Sequence, residues 1–326
     1  MRRFVMGILI VLVIGSAGSF TVYKLISNGL KPTPISILFV PKTLDTRIEF
    51  WHEMRQGIDA ALKEFGAEIQ VVGTESESDI AGQIQILEKK LLDKPKVVIL
   101  ASTDYEQLVP IAQKYKDAGI PLITVDAGVE GDIATSFIAT DNYAAGVKAG
   151  QTILQLVPKE STIAVMNTVK GSATAMERER GFRDSIASSK GIQLIETNYN
   201  GGLGQISYEY ARKLLLENSN INGFICLNES STVGTAQAIK DMASLSVKLV
   251  GFDSSMEEIA LLEDRVLQAT VVQNPYNMGY LAVEAAVKAY KGKNVKKFID
   301  TGSEVITKEN MYTKENQKLL FPFVEK

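Results

Sequence analysis

Short apolar runs of strand length alternate with helix-period stripes along almost the whole chain, and this alternation limits its fold more than any other feature. Ile35–Val40 is the first such run. From Met54 the apolar positions are Met54, Ile58, Ala61, Leu62 and Phe65, the recurrence of one helix face. Ile69–Val72 is strand-like again, and Ile80, Ile84, Leu87 and Leu91 form a second stripe. Strands follow at Val97–Ala101, Pro121–Val125 and Phe137–Ala139, with a helix before Ala118-Gly119. Near Thr140–Asn142 the cycle begins anew, with a helix over Tyr143–Leu156, a strand at Thr162–Met166, a helix ending near Ser188 and a strand at Gln193–Thr197. A helix from Ile206 to Glu217, strand Gly223–Leu227, helix Thr232–Met242 and strand Lys248–Phe252 come next. Strand Leu267–Val272 and helix Pro275–Tyr290 close the series. Runs apolar on both faces and joined through helices indicate parallel sheets covered by helices on either side. The fold class is therefore α/β, with two doubly wound lobes.

A length of 326 residues agrees with two domains. Lys and Arg total 35 against 38 Asp and Glu, a net charge of −3, so there is no basic excess to neutralise a phosphate backbone and nucleic acid is not an expected partner. The single cysteine, Cys226, cannot form an internal disulfide, and the single histidine, His52, cannot supply a His-based metal site. No cofactor is expected.

The N-terminus is directed to a membrane. Met1-Arg2-Arg3 precedes Phe4–Tyr23, a run without a charge that ends at Lys24. About 20 residues at a helical rise cross a hydrocarbon core of roughly 30 Å. Residues 1–26 are read as a signal anchor, with Arg2 and Arg3 keeping the N-terminus inside and the body of the chain outside the cell. Cleavage at Ser16-Ala17-Gly18-Ser19, as in a signal peptide, is the alternative. Residues 27–34 read as a linker.

In open parallel sheets ligands bind beyond the carboxyl ends of the strands. The strand ends here carry polar groups: Ser102-Thr103-Asp104, Asp126, Asn228-Glu229, Asp253 and Gln273. A carboxylate accepts hydrogen bonds from ligand hydroxyls, and Asn or Gln both donates and accepts. That inventory suits a small polyhydroxylated ligand, although any one of these residues equally suits a helix cap or turn. Phe50 and Trp51, the latter the only tryptophan, follow the first strand and offer faces for a sugar ring or a lid on the helix start. Asp45 and Arg47 lie in the same loop, where Arg47 either forks onto a hydroxyl pair or is a solvated charge.

Taken together these segments resemble the type I periplasmic sugar-binding proteins, the ribose-, galactose- and xylose-binding group. The resemblance rests on Asp45-Thr-Arg-Ile-Glu-Phe-Trp51, Ala118-Gly-Ile-Pro-Leu-Ile-Thr-Val-Asp126, Ala139-Thr-Asp-Asn142, Gly171-Ser-Ala-Thr-Ala175 with Arg180-Gly-Phe182, Phe224-Ile-Cys-Leu-Asn228, Val250-Gly-Phe-Asp253 and Ala269-Thr-Val-Val-Gln273. It implies two Rossmann-like lobes joined by three crossovers. Residues 35–139 plus 275–301 would form the first lobe, and 140–274 plus 302–326 the second. It also implies an aldose held by Asp45, Arg47, Phe50, Trp51, Thr103, Asp126, Met176, Asn228, Asp253 and Gln273. The family's arginine after the first-lobe aspartate is replaced by Ala127, and the ribose-type arginine after Gly171–Ala175 by Met176, with Arg178 and Arg180 near. Tyr199–Gly204 has no clear match to the second-lobe aromatic. Loss of two charged donors points to a ligand with fewer groups to satisfy, D-xylose first. The first loop also looks more like the xylose-binding members. Lobe closure would report the sugar to a membrane histidine kinase of a two-component system, or deliver it to the permease of an ABC transporter.

Other constellations carry less. Gly201-Gly202-Leu203-Gly204 lacks the dinucleotide spacing and reads as a turn before a helix. Cys226 lies in an apolar strand as an inert thiol, and His52 at a helix start without a nucleophile partner. Asp126 and Asp253 as a glycosidase pair would need a fixed separation, which hinged lobes do not provide. No enzymatic activity is expected.

Overall fold

The computed structural model describes residues 34–218 and 220–321. The apolar N-terminal segment expected as an anchor, and all of the linker but Pro34, lie outside the described residues. Among the described residues no helix is long and apolar enough to cross a membrane.

The first lobe is built from β1 (Ile35–Val40), α1 (Glu49–Phe65), β2 (Ala67–Val71), α2 (Ile80–Leu92), β3 (Val97–Leu100), α3 (Val109–Asp117), β4 (Leu122–Val125) and β5 (Ser136–Ala139). The second contains α4 (Asn142–Leu156), β6 (Ser161–Asn167), α5 (Ala173–Ile186), β7 (Ile192–Leu194), β8 (Asn198–Tyr199), α6 (Gly204–Glu217), β9 (Ile221–Cys226), α7 (Glu229–Asp241), β10 (Lys248–Phe252), α8 (Met256–Glu263) and β11 (Ala269–Val272). The chain then returns through α9 (Pro275–Tyr290) and β12 (Phe298–Asp300) before β13 (Glu304–Thr307) and α10 (Lys314–Leu320).

Strand order in the first sheet is β12-β5-β4-β3-β1-β2, and in the second β13-β11-β10-β9-β6-β7, with β8 also on β6. Each lobe thus repeats the doubly wound order in which the first strand lies between the second and third. β12 joins the first sheet parallel to β5, whereas β13 closes the second sheet antiparallel to β11. The chain passes between sheets three times, after β5, β11 and β12. These segments are tied to one another: Thr301 N–H donates to Ala139 O at 2.9 Å, Thr140 Oγ1 to Gly302 O at 3.1 Å, and Asp141 N–H to Asp300 Oδ1 at 3.0 Å.

Strands β3 and β4 are buried at every residue, which is why they read as unbroken apolar runs. Tyr115, Leu87, Leu100 and Ile111 fill one face of the first sheet, and Phe182, Phe252, Ile163 and Val165 one face of the second. α8, β12, β13 and α10 have no counterpart in the periodicity reading. The strands among them are half exposed, and the helices have eight and seven residues, too short to display a stripe. The strand expected over Gln193–Thr197 is split into β7 and β8, each pairing with β6.

Candidate functional site

Between the carboxyl ends of the two sheets lies a narrow cavity lined by fourteen residues drawn from both lobes. Strand ends supply much of the lining: Lys42 follows β1, Asp126 follows β4, Asn228 and Glu229 follow β9, Asp253 follows β10, and Gln273 follows β11.

Asp126 and Asp253 occupy equivalent places. Each has a left-handed backbone, at φ 62° and 79°, and each N–H donates to the next strand, Asp126 to Ile138 O at 2.9 Å and Asp253 to Val271 O at 3.0 Å. Aspartate is among the few residues that enter this region readily. Their partners differ. Asp126 Oδ2 is 2.6 Å from Lys42 Nζ, a buried ion pair, and the same ammonium donates across the cleft to Thr174 Oγ1 at 3.2 Å. Asp253 accepts from Gln273 Nε2 at 2.7 Å and from Glu229 N–H at 2.9 Å. Burial pushes the Asp253 carboxyl up, and Arg178 acts against it. Gln273 Oε1 is buried and has no protein partner, so this acceptor is left for a ligand donor.

Arg178 is 4% exposed. Its guanidinium lies 4.5 Å from the centre of the Phe252 ring, and its Nε and Nη1 donate to Asn142 Oδ1 and Leu227 O, both at 2.8 Å. Burial lowers its pKa, opposed by Asp253, Asp126 and Glu77, and an arginine so surrounded keeps its proton. Close helix packing holds it there: a Cβ at Gly146 of α4 would lie 2.1 Å from the Arg178 carbonyl oxygen, so α4 reaches α5 only as glycine.

Phe50 and Trp51 open α1 as an edge-to-face pair with centroids 5.1 Å apart. Trp51 Nε1 donates to Glu77 Oε1 at 2.9 Å. Carboxylates cross the cleft beside them. Glu229 accepts from Glu49 N–H at 3.3 Å and Phe50 N–H at 3.4 Å, capping α1, whose own N-cap residue Ile48 has no side-chain cap. In return Glu49 Oε2 accepts from Met256 N–H, the first residue of α8, at 2.9 Å. Burial and then Asp253 raise Glu229 to about 8; burial, then Glu49 and Asp253, raise Glu53 to about 8.

Of the residues singled out from sequence, Phe50, Trp51, Asp126, Asn228, Asp253 and Gln273 line this cavity. Four do not. Arg47 forks onto Asp45 at 2.7 Å with its side chain 85% exposed, so the loop pair satisfies itself in solvent. Thr103 spends both its N–H and its hydroxyl on Gln83 Oε1, each at 2.9 Å. Met176 is 37% exposed and lines a separate groove with Tyr143 and Phe298. Arg178, two residues on, takes the inward position. The buried residues of α5, Thr174, Ala175, Arg178, Gly181 and Phe182, form one helix face, and Met176 lies off it. Lys42, Glu77, Thr168, Thr174 and Arg178 were not read as site residues, and Glu229 was read only as a polar strand end; Lys42 and Thr168 also follow strands, and Arg178 belongs to the α5 stripe. Asn228 stands at the N-cap position of α7 without a side-chain cap bond, its Oδ1 accepting instead from Ser231 Oγ, and it lines the cavity.

Cys226 is buried, with its thiol pushed up to about 12 by burial. His52 is on exposed α1 surface against Gln56. Among the described residues no cluster of His, Cys, Asp and Glu could hold a metal ion.

A family model described as periplasmic binding protein domain matches residues 37–294. The D-allose-binding periplasmic protein of Escherichia coli (strain K12) is 27% identical over 266 residues, covering 78% of this chain and 85% of its own. Among solved structures, an ABC transporter solute binding protein from Agrobacterium vitis with bound D-fucose has a TM-score of 0.84 at 32% identity, covering 87% of this chain and 99% of that one. A sugar transporter from Clostridium phytofermentans has a TM-score of 0.77 at 38% identity, covering 83% and 98%.

Proposed function

Since this chain belongs to the family of periplasmic binding protein domains, we propose that it captures a monosaccharide between its lobes and hands it to the permease of an ABC transporter, outside the cytoplasm. The observation that carries the reading is the cavity itself. One wall offers the rings of Phe50 and Trp51, and the other a fixed polar set, Arg178, Asn228, Asp253 and Gln273, with the Gln273 Oε1 acceptor unpartnered. Aromatic faces cover the C–H face of a sugar ring, while carboxylates and amides around its edge accept and donate to hydroxyls. Capture needs only that the closed arrangement binds the sugar better than the open one.

The relatives support binding rather than catalysis, since they are described as binding proteins and transporter components. They also favour delivery to a permease over the kinase partner expected from the anchor. Retention of residues 1–20 in the intact mass of membrane-extracted protein tests whether the apolar segment tethers the binding domain outside the cytoplasmic membrane.

D-Xylose was expected because two charged donors looked lost. Lys42 and Arg178 restore two cations to the cavity lining, so that argument no longer separates xylose from other aldoses. D-Allose and D-fucose join the panel because relatives bind them. Calorimetric titration with D-xylose, D-ribose, D-allose, D-fucose, D-arabinose and D-glucose tests the reading. Saturable binding of one of them in the micromolar range or tighter is expected, about −8 kcal/mol or more. No heat with any of them from folded protein overturns it.

A further inference from the structure

Glu77, like Lys42 and Glu229, makes contacts on both lobes. It lies in the loop between β2 and α2 and lines the cavity. Its two carboxylate oxygens go to different lobes: Oε1 accepts from Trp51 Nε1 at 2.9 Å, and Oε2 accepts from Thr168 Oγ1 of the second lobe at 3.3 Å. The second-lobe turn opposite is Gly201-Gly202. A Cβ at Gly202, where φ is +89°, would come 3.6 Å from Glu77 Cβ, Cγ and Oε2. The turn therefore presents bare backbone where the carboxylate crosses.

The indole N–H is a donor with no acceptor capacity, and Trp51 is only 8% exposed. Rotating the indole away from Glu77 would bury that donor without a partner, which is unfavourable. With that bond made, the indole stands edge-to-face to Phe50, 90° between planes.

We propose that Glu77 is a positioning residue that sets the rotation of the Trp51 indole and couples it to lobe closure through Thr168. The aromatic platform is then in its binding orientation when the lobes are shut. This deepens the sugar-capture reading and rests on it.

Trp51 is the only tryptophan, so fluorescence under excitation selective for tryptophan over tyrosine reports this side chain alone. In protein without sugar, Glu77→Ala is expected to shift the emission to the red and raise acrylamide quenching, while Glu77→Gln, which keeps an acceptor for the indole, stays near the parent. On the sugar identified by calorimetry, Glu77→Ala is expected to weaken binding about tenfold, and Thr168→Val about threefold. In a Trp51→Phe background, which has no indole N–H, adding Glu77→Ala should cost only about threefold, the share carried by Thr168. Equal losses in both backgrounds, or an emission spectrum unmoved by Glu77→Ala, would overturn the positioning role. Unchanged affinity in Thr168→Val would overturn the coupling to closure. If the parent binds no sugar, it is the functional reading that fails, and the fluorescence arm still decides whether Glu77 holds the indole.

Discussion

The first-lobe wall meets the cavity with two aromatic rings, Ile48, Glu77 and one ion pair, Lys42–Asp126; the second-lobe wall meets it with Thr168, Thr174, Arg178, Asn228, Glu229, Ser230, Asp253 and Gln273, and no aromatic ring. The equivalent aspartates show the divergence most clearly. Asp126 is matched by a cation on its own lobe, whereas Asp253 is held by an amide and a backbone N–H, with Arg178 influencing it without a direct hydrogen bond among those described. On the proposed reading one wall would bind mainly by the faces of its rings, which tolerate variation in the ligand, and the other by a prearranged set of donors and acceptors, which does not. Specificity for hydroxyl configuration should therefore reside on the second lobe, and general affinity for a ring on the first.

That contrast can be broken by substitution. The largest effect is expected at Arg178→Ala, which strands Asn142 Oδ1 and the Leu227 carbonyl and leaves Asp253 without its nearby cation. Urea denaturation should read a loss of about 3 kcal/mol, and calorimetry a loss of binding of about 100-fold or more. Asp253→Asn comes next. Asparagine accepts the left-handed backbone, so stability should stay within about 1 kcal/mol, yet sugar binding should weaken by about tenfold to 100-fold. Equal weakening for every sugar in the panel would contradict a specificity role for the second wall. Trp51→Ala should cost about tenfold across all sugars alike, with the circular dichroism spectrum intact.

A smaller effect follows from pH. Glu53 and Glu229 are raised from an ordinary 4.5 to about 8, chiefly by burial. The folded form thus holds protons that the unfolded chain has released, so stability is greatest below about pH 4.5 as far as these groups decide it, and falls as pH rises towards 8. Thermal melts across that window should show a declining midpoint, less steep in Glu53→Gln; a midpoint rising with pH would contradict the assignment. The smallest effects belong to Arg47→Ala and Met176→Ala, both expected within about twofold of the parent affinity, since neither side chain lines the cavity.

How much of this was legible in the sequence depended on whether a signal was local. The doubly wound lobes were readable because parallel strands buried on both faces leave uninterrupted apolar runs such as Val97–Leu100 and Leu122–Val125. The strand-end rule found Asp126, Asn228, Asp253 and Gln273. Applied to β1, it would have found Lys42 as well. Motif position alone put Met176 where Arg178 belongs; helical phase distinguishes them, because Arg178 shares a face with Thr174 and Phe182. Thr168, directly after β6, falls under the strand-end rule, but Glu77 was out of reach, since its pairing with Thr168, 91 residues on, depends on how one lobe lies on the other.

The left-handed backbone at Asp126 and Asp253 bears on how this site can change over generations. A single base change in an aspartate codon yields Asn, Gly, Ala, Val, Glu, Tyr or His, and most of these side chains resist a φ of 62° or 79°. Asparagine and glycine are the neighbours that leave the loop undisturbed, and of the two only asparagine retains an acceptor. Drift at either position is therefore channelled toward Asn, and a change of ligand preference would arise more readily from the unstrained residues around them, Lys42, Thr174 and Gln273, than from the aspartates themselves.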